Sequence, residues 1–150
     1  MKKRIENKLS KELISHLQNR NFVIVTITNS EAKPVNRSVS WVYAINDKVL
    51  RMVIDSKSKI ISNLHLNNNI TVTVFLNESV YQISGIAKIK IENIEGIPFK
   101  VSMIELTVNE VEDIMFFGSK LVSYPEYMKV NNEEKGKQLD ELIFKKLKEA

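Results

Sequence analysis

Between Phe22 and Val111 the chain passes through a series of short runs rich in β-branched residues, each closed by a turn signal. This repetition limits the fold more than any other feature. Phe22 to Thr28 reads as a strand, and Asn29-Ser30-Glu31-Ala32-Lys33-Pro34 turns it back into the next run. Val35 to Ile45 and Val49 to Ile54 read as a second hairpin around Asn46-Asp47-Lys48, where Asn and Asp tolerate the left-handed turn conformation. Ile70 to Leu76 alternates Thr with Val and Phe, Asn77-Glu78 turns, and Val80 to Ile91 continues as a long strand. Gly85 inside that strand is expected at a bulge or bend that lets a sheet curl. Beyond Gly96-Ile97-Pro98, Lys100 to Val111 supplies another strand.

Helical patterns flank and interrupt the strands. Ser10 is placed as an N-cap ahead of Leu13, Ile14 and Leu17, which predicts a short helix over about 9–19. Lys57 to Leu66 carries Ile60, Ile61, Leu64 and His65 at helical spacing until Asn67-Asn68-Asn69 ends it. Glu133 to Lys148 sets Leu139, Leu142, Ile143 and Leu147 on one face of a docked C-terminal helix. Six or seven antiparallel strands with these helices predict a mainly β fold, a small curled β-barrel with flanking helices. The 150 residues, 43% apolar, suit one domain over 1–150.

Several chemistries are excluded by residue type. Without cysteine there is no disulfide scaffold, Cys-ligated zinc, iron–sulfur cluster or thiol nucleophile, and a reducing cytoplasmic setting is the simplest fit. The four glycines, at 85, 96, 118 and 136, cannot form a dinucleotide-binding turn or a P-loop. His16 and His65 lie far apart and away from carboxylates at metal-ligand spacing, so no metal site is expected. No serine has a nucleophile-elbow context, and the carboxylates Glu92 with Glu95, and Glu110 with Glu112 and Asp113, read as solubilising charges at strand ends. The net charge of +4 is concentrated in residues 1–20, which carry no aromatic side chain, so neither a nucleic-acid footprint nor a membrane surface is expected. Charges at Glu6, Lys8, Lys11 and Glu12 interrupt what would otherwise start like a signal peptide.

The segment Arg37 to Asn63, RSVSWVYAINDKVLRMVIDSKSKIISN, carries the positive signal. A strand that feeds a Ser/Lys loop and then a helix start can gather backbone N–H groups, hydroxyls and ammonium groups around one anion, a phosphate above all. Arg37 could fork onto a phosphate or a ring carbonyl, or simply stand on an exposed barrel face. Ser56, Lys57, Ser58 and Lys59 could be no more than a capped helix start, although lysines in a first helical turn oppose the helix dipole unless an anion sits between them.

These residues, with VYQISGIAKI, IEGIPFKVSMIELTVNEVEDIMFFG and KGKQLDELI, resemble the pyridoxamine 5′-phosphate oxidase-like, FMN-binding split-barrel family over nearly the whole chain. The resemblance implies a split β-barrel of Greek-key-like antiparallel strands, a homodimer, and FMN bound at the subunit interface. It implies that Arg37, Ser38, Val39, Ser40 and Trp41 meet the polar edge of the isoalloxazine ring. It likewise implies that Ile54, Asp55, Ser56, Lys57, Ser58 and Lys59 form the phosphate loop, with Ser58 and Lys59 the preferred phosphate pair. The function expected is that of a flavin-dependent oxidoreductase of unknown substrate. The alternatives are a non-catalytic flavin carrier or redox sensor, or a split barrel that binds haem or a deazaflavin. The chain ends in ELIFKKLKEA where the family's founding enzyme grips its substrate with Arg and His, so oxidation of pyridoxamine phosphate is not expected.

Overall fold

The computed structural model describes residues 5–150, so the basic residues Lys2, Lys3 and Arg4 of the N-terminal segment lie outside the described residues. The elements are β1 (Ile5–Glu6), α1 (Lys11–Leu17), β2 (Val23–Thr28), β3 (Pro34–Val39), β4 (Val42–Ala44) and β5 (Val49–Asp55), followed by α2 (Lys59–Leu64), β6 (Asn69–Leu76), β7 (Ser79–Ile91), β8 (Val101–Asp113) and α3 (Glu133–Glu149). All the strands belong to one antiparallel sheet in the order β3-β2-β6-β7-β8-β5-β4, with β1 pairing beside them on β8. The expected count of six or seven strands is exceeded because the run Val35 to Ile45 is two strands, and because the two-residue β1 is too short to leave a pattern.

The break in that run sets the architecture. β3 and β4 lie at opposite ends of the strand order, yet only Ser40 and Trp41 separate them in sequence. A sheet whose two edge strands are consecutive in the chain must curl until those edges meet, and the natural twist of antiparallel strands allows it. The result is a curled antiparallel barrel with a seam between β3 and β4. Gly85 sits at a register shift between β7 and β8, where a Cβ would come within 2.0 Å of the Thr107 carbonyl oxygen. Only glycine fits that close approach. The β6–β7 turn needs positive φ at both Asn77 (53°) and Glu78 (61°), the geometry of a two-residue hairpin whose twist matches its strands.

Two apolar layers flank the sheet. Inside the barrel, Val23, Val25, Ile27, Leu50, Met52, Val72, Val74, Ile104 and Leu106 are buried together with Leu13 and Leu17 of α1 and Ile60, Ile61 and Leu64 of α2. Outside, α3 lies across β4 and β5 and buries Ile143, Phe144 and Leu147 against Val53, Val101 and Met103. Phe144 takes the place that the sequence pattern assigns to Leu142, because the buried stripe is Asp140, Ile143, Phe144 and Leu147. Arg51, across the strand pair from Glu105, donates from Nε to the Glu105 carboxylate at 3.0 Å and from Nη1 to the Leu147 carbonyl at 2.9 Å, closing the last turn of α3. Among the described residues, no helix is long and apolar enough to cross a membrane.

Candidate functional site

A cleft of about 410 Å³ opens at the seam where the sheet edges meet, lined by Arg37, Ser38, Val39, Ser40, Trp41, Val53, Ile54, Asp55, Lys57 and Ser58. Its walls follow from the strand register. Arg37 pairs with the fully buried Val25 and shares the inward parity of Val35 and Val39, yet it is exposed because β3 is an edge strand. An inward-pointing charge on an edge strand also blocks sheet-to-sheet pairing, which is the plain structural reason for an arginine there. Its Nη1 donates to the Asn36 carbonyl at 2.7 Å, which leaves the other guanidinium donors toward solvent and the cleft.

The facing wall is the end of β5 and the loop into α2. That loop is locked by its own hydrogen bonds. The Asp55 carboxylate accepts the Lys57 N–H at 2.8 Å, the Asp55 carbonyl accepts the Ser58 N–H at 2.9 Å, and the Lys100 carbonyl accepts the Ser56 N–H at 3.2 Å. Ser58 then caps α2 by accepting the Ile60 N–H on its hydroxyl at 3.2 Å, which leaves the hydroxyl hydrogen to donate elsewhere. The helix starts at Lys59, two residues later than the sequence pattern suggests. Four of the backbone N–H groups expected to face an anion, those of Ser56, Lys57, Ser58 and Ile60, already have acceptors, so side chains would carry more of any anion contact than the sequence suggests.

The structure separates two of the expected residues from the rest. Ser56 turns away from the cleft: its hydroxyl lies 2.8 Å from that of buried Ser102, which in turn donates to the Glu92 carbonyl. Lys59, the first residue of α2, does not line the cleft, whereas Lys57 does. Val53 is an addition that the sequence reading passed over. Its N–H donates to the Trp41 carbonyl at 2.9 Å, extending the β4–β5 ladder into the cleft floor. Trp41 belongs to the outer layer beneath α3 rather than to the barrel core. Its ring is nearly parallel to Phe99, with centroids 6.3 Å apart and planes 16° apart, and its indole N–H donates to Asp140 at 2.8 Å.

Neither histidine reaches this cleft. His16 lines a separate hollow with Phe22, Phe75 and Tyr124, and its imidazole is held below its ordinary pKa by burial. His65 is exposed after α2. Among the described residues, no cluster of His, Asp and Glu is placed to hold a metal ion.

No family model and no curated protein matches the sequence. Solved structures do match. A candidate pyridoxamine 5′-phosphate oxidase from Lactobacillus delbrueckii superposes with a TM-score of 0.61 at 16% identity, over 74% of this chain and 98% of its own. An F420 reductase matches at 0.59 and 11% identity, over 69% and 98%. The heme storage protein HutZ of Vibrio cholerae matches at 0.50 and 10% identity, over 63% and 86%. The fold is thus the split barrel of pyridoxamine 5′-phosphate oxidase-like proteins. At these identities the likeness extends to the fold and no further.

Proposed function

We propose that the seam cleft binds FMN and that the protein is a flavin-dependent oxidoreductase whose substrate is a small molecule. The observation that supports this reading is the convergence of Arg37–Trp41 and Lys57–Ser58 on one cleft. The residues suit the group. Arg37, Lys57 and the Ser58 hydroxyl would hold the phosphate, and the unpaired edge of β3, with Val39 and Trp41, would meet the flat ring. Lys59, on the first turn of α2, would add a longer-range charge to the phosphate end. Bound FMN would supply the hydride or electron chemistry, while the chain supplies binding and orientation.

A homodimer is part of this proposal. Residues 114–132, between β8 and α3, form no regular element, and Phe116, Phe117, Val122, Met128 and Val130 stand exposed along them. Side chains of this kind in one segment suit a subunit contact, which would also cover the open side of the cleft. A cytoplasmic setting fits the absence of cysteine.

The second reading keeps the cleft and changes its occupant to haem or a deazaflavin, supported by the names of the HutZ and F420 reductase structures. The position of both histidines outside the cleft favours flavin over a haem held by an imidazole of the same chain. A visible spectrum of the purified protein, with mass identification of the released ligand, separates the readings. Flavin bands near 370 and 450 nm, roughly, and one FMN per chain are expected. A protein that is colourless and takes up no added FMN overturns the proposal, and a Soret band replaces it with the haem reading. Bound FMN that no nicotinamide or candidate substrate reduces would make the chain a carrier or sensor.

A further inference from the structure

Asp140 occupies a position where a carboxylate is costly. With Ile143, Phe144 and Leu147 it forms the buried stripe of α3, at the spacing i, i+3, i+4, i+7, and its neighbours on that stripe pack against Val53, Val101 and Met103. An apolar residue there would join the layer at no desolvation cost, whereas a carboxylate is tolerated only when its oxygens are occupied. Both are. Oδ1 accepts the Trp41 indole hydrogen at 2.8 Å and Oδ2 pairs with Lys129 Nζ at 2.9 Å. Residues 41 and 140 are 99 positions apart in sequence, so this hydrogen bond ties the last helix to the seam between β3 and β4.

Trp41 is the wall that this bond controls. Its backbone is held by Val53, its face by Phe99, and its edge by Asp140, and it lines the cleft between Ser40 and Val53. We infer that Asp140 is a positioning residue of the cleft: by fixing the indole of Trp41 it sets the shape of the wall that a planar ligand would meet. Removing the acceptor frees two side-chain torsions and leaves a half-buried N–H unpaired, so the indole repacks. Lys129 acts in turn on Asp140, pairing with Oδ2 at 2.9 Å so that Oδ1 is left aimed at the indole. The effect on affinity rests on the flavin proposal, whereas the effect on Trp41 does not.

The chain has a single tryptophan, so one indole N–H resonance reports on this contact without assignment ambiguity. The test compares uniformly labelled full-length wild type with Asp140→Ala, Asp140→Leu and Asp140→Asn, by indole and backbone amide spectra and by titration with FMN. Asp140→Ala is expected to move the indole resonance upfield, speed its exchange with solvent, shift the amides of Ser40, Trp41 and Val53, and weaken FMN about tenfold. Asp140→Asn keeps an acceptor, so its indole shift stays close to wild type and its affinity within about threefold. If Asp140→Ala does not fold, Asp140→Leu, which fills the apolar stripe of α3 but offers the indole no acceptor, is read in its place with the same expected and overturning outcomes. Wild type that binds no FMN, with cleft amides that still move in Asp140→Ala, sinks the flavin proposal and leaves the positioning role standing. Cleft amides and indole that stay put in Asp140→Ala overturn the inference, and so does an indole that moves while FMN affinity holds.

Discussion

The two apolar layers on either side of the sheet are built differently. Inside the barrel, Leu50, Met52, Val72, Val74, Ile104 and Leu106 are sealed without a charged neighbour in their cluster. Outside, the layer under α3 carries Arg51, Glu105 and Asp140 among its apolar side chains, each with partners. The inner layer is held by apolar packing, where volume-conserving swaps are the best tolerated substitutions. The outer layer gives up some burial free energy to place groups in one orientation: Arg51 on the end of α3, and Trp41 on the cleft.

The comparison can be broken from the inside first. Leu50→Ala should cost about 3–4 kcal/mol in denaturant unfolding, because the inner layer closes over a cavity only partly. Gly85→Ala should cost on the order of 3 kcal/mol, since its Cβ meets backbone that cannot yield without flattening the curl. In the outer layer, Arg51→Met should cost about 2–3 kcal/mol by leaving Glu105 and the Leu147 carbonyl short of a donor, and adding Glu105→Leu should recover most of that loss. Inner-layer losses have no such rescue. If Leu50→Ala proved cheaper than Arg51→Met, the assignment of packing to one layer and orientation to the other would fail.

Acid sharpens the same contrast, because the buried charged side chains among the described residues, Arg51 and Asp140, both lie in the outer layer. Burial pushes the Glu105 carboxyl up, but the hydrogen bond from Arg51 and the charges of Lys90 and Arg51 outweigh it and hold the group below its ordinary value. A depressed carboxyl stabilises the fold above its unfolded pKa, and that contribution is lost as pH falls through the folded value. Thermal unfolding should therefore lose stability below about pH 4.3 in wild type, and less steeply in Glu105→Gln. His16, kept neutral by burial, adds a shallower loss that begins below about pH 6.5, where the unfolded chain takes up the proton first. That slope should vanish in His16→Gln. The smallest effect on stability belongs to Lys57→Ala, within about 0.5 kcal/mol, while FMN affinity falls about five- to tenfold and more than in Lys59→Ala.

Much of this was readable in the sequence, and the misses have particular causes. The turns at Asn29–Lys33, Asn46–Lys48 and Asn77–Glu78, the capping by Ser10 and the bend at Gly85 follow from local chemistry and are where the residues place them. The split of Val35 to Ile45 was missed because both halves are β-rich. A signal was present: the inward residues are Val35 and Val39, then Val42 and Ala44, and the change from odd to even marks the break. Among the residues expected at the cleft, Ser56 and Ser58 look alike in sequence, and only the partner strand that brings Ser102 up to Ser56 tells them apart. Asp140 reads in the sequence as part of the solvated face, because it is a carboxylate two residues from Leu142. Its partner is 99 residues away, beyond the reach of any periodicity.

The two residues between β3 and β4 also govern how the barrel can move. Val39 and Val42 are three peptide units apart, so their Cα atoms can never separate by more than about 11 Å, however far the rest of the seam relaxes. The seam is therefore tethered by the chain itself at Ser40–Trp41, whereas its other end, toward Arg37 and the loop at Asp55–Ser58, is held by the packing of α2 on β3 and β5. Any widening would be least beside the indole. A ligand would enter from the charged end and meet a rigid stop at the aromatic one.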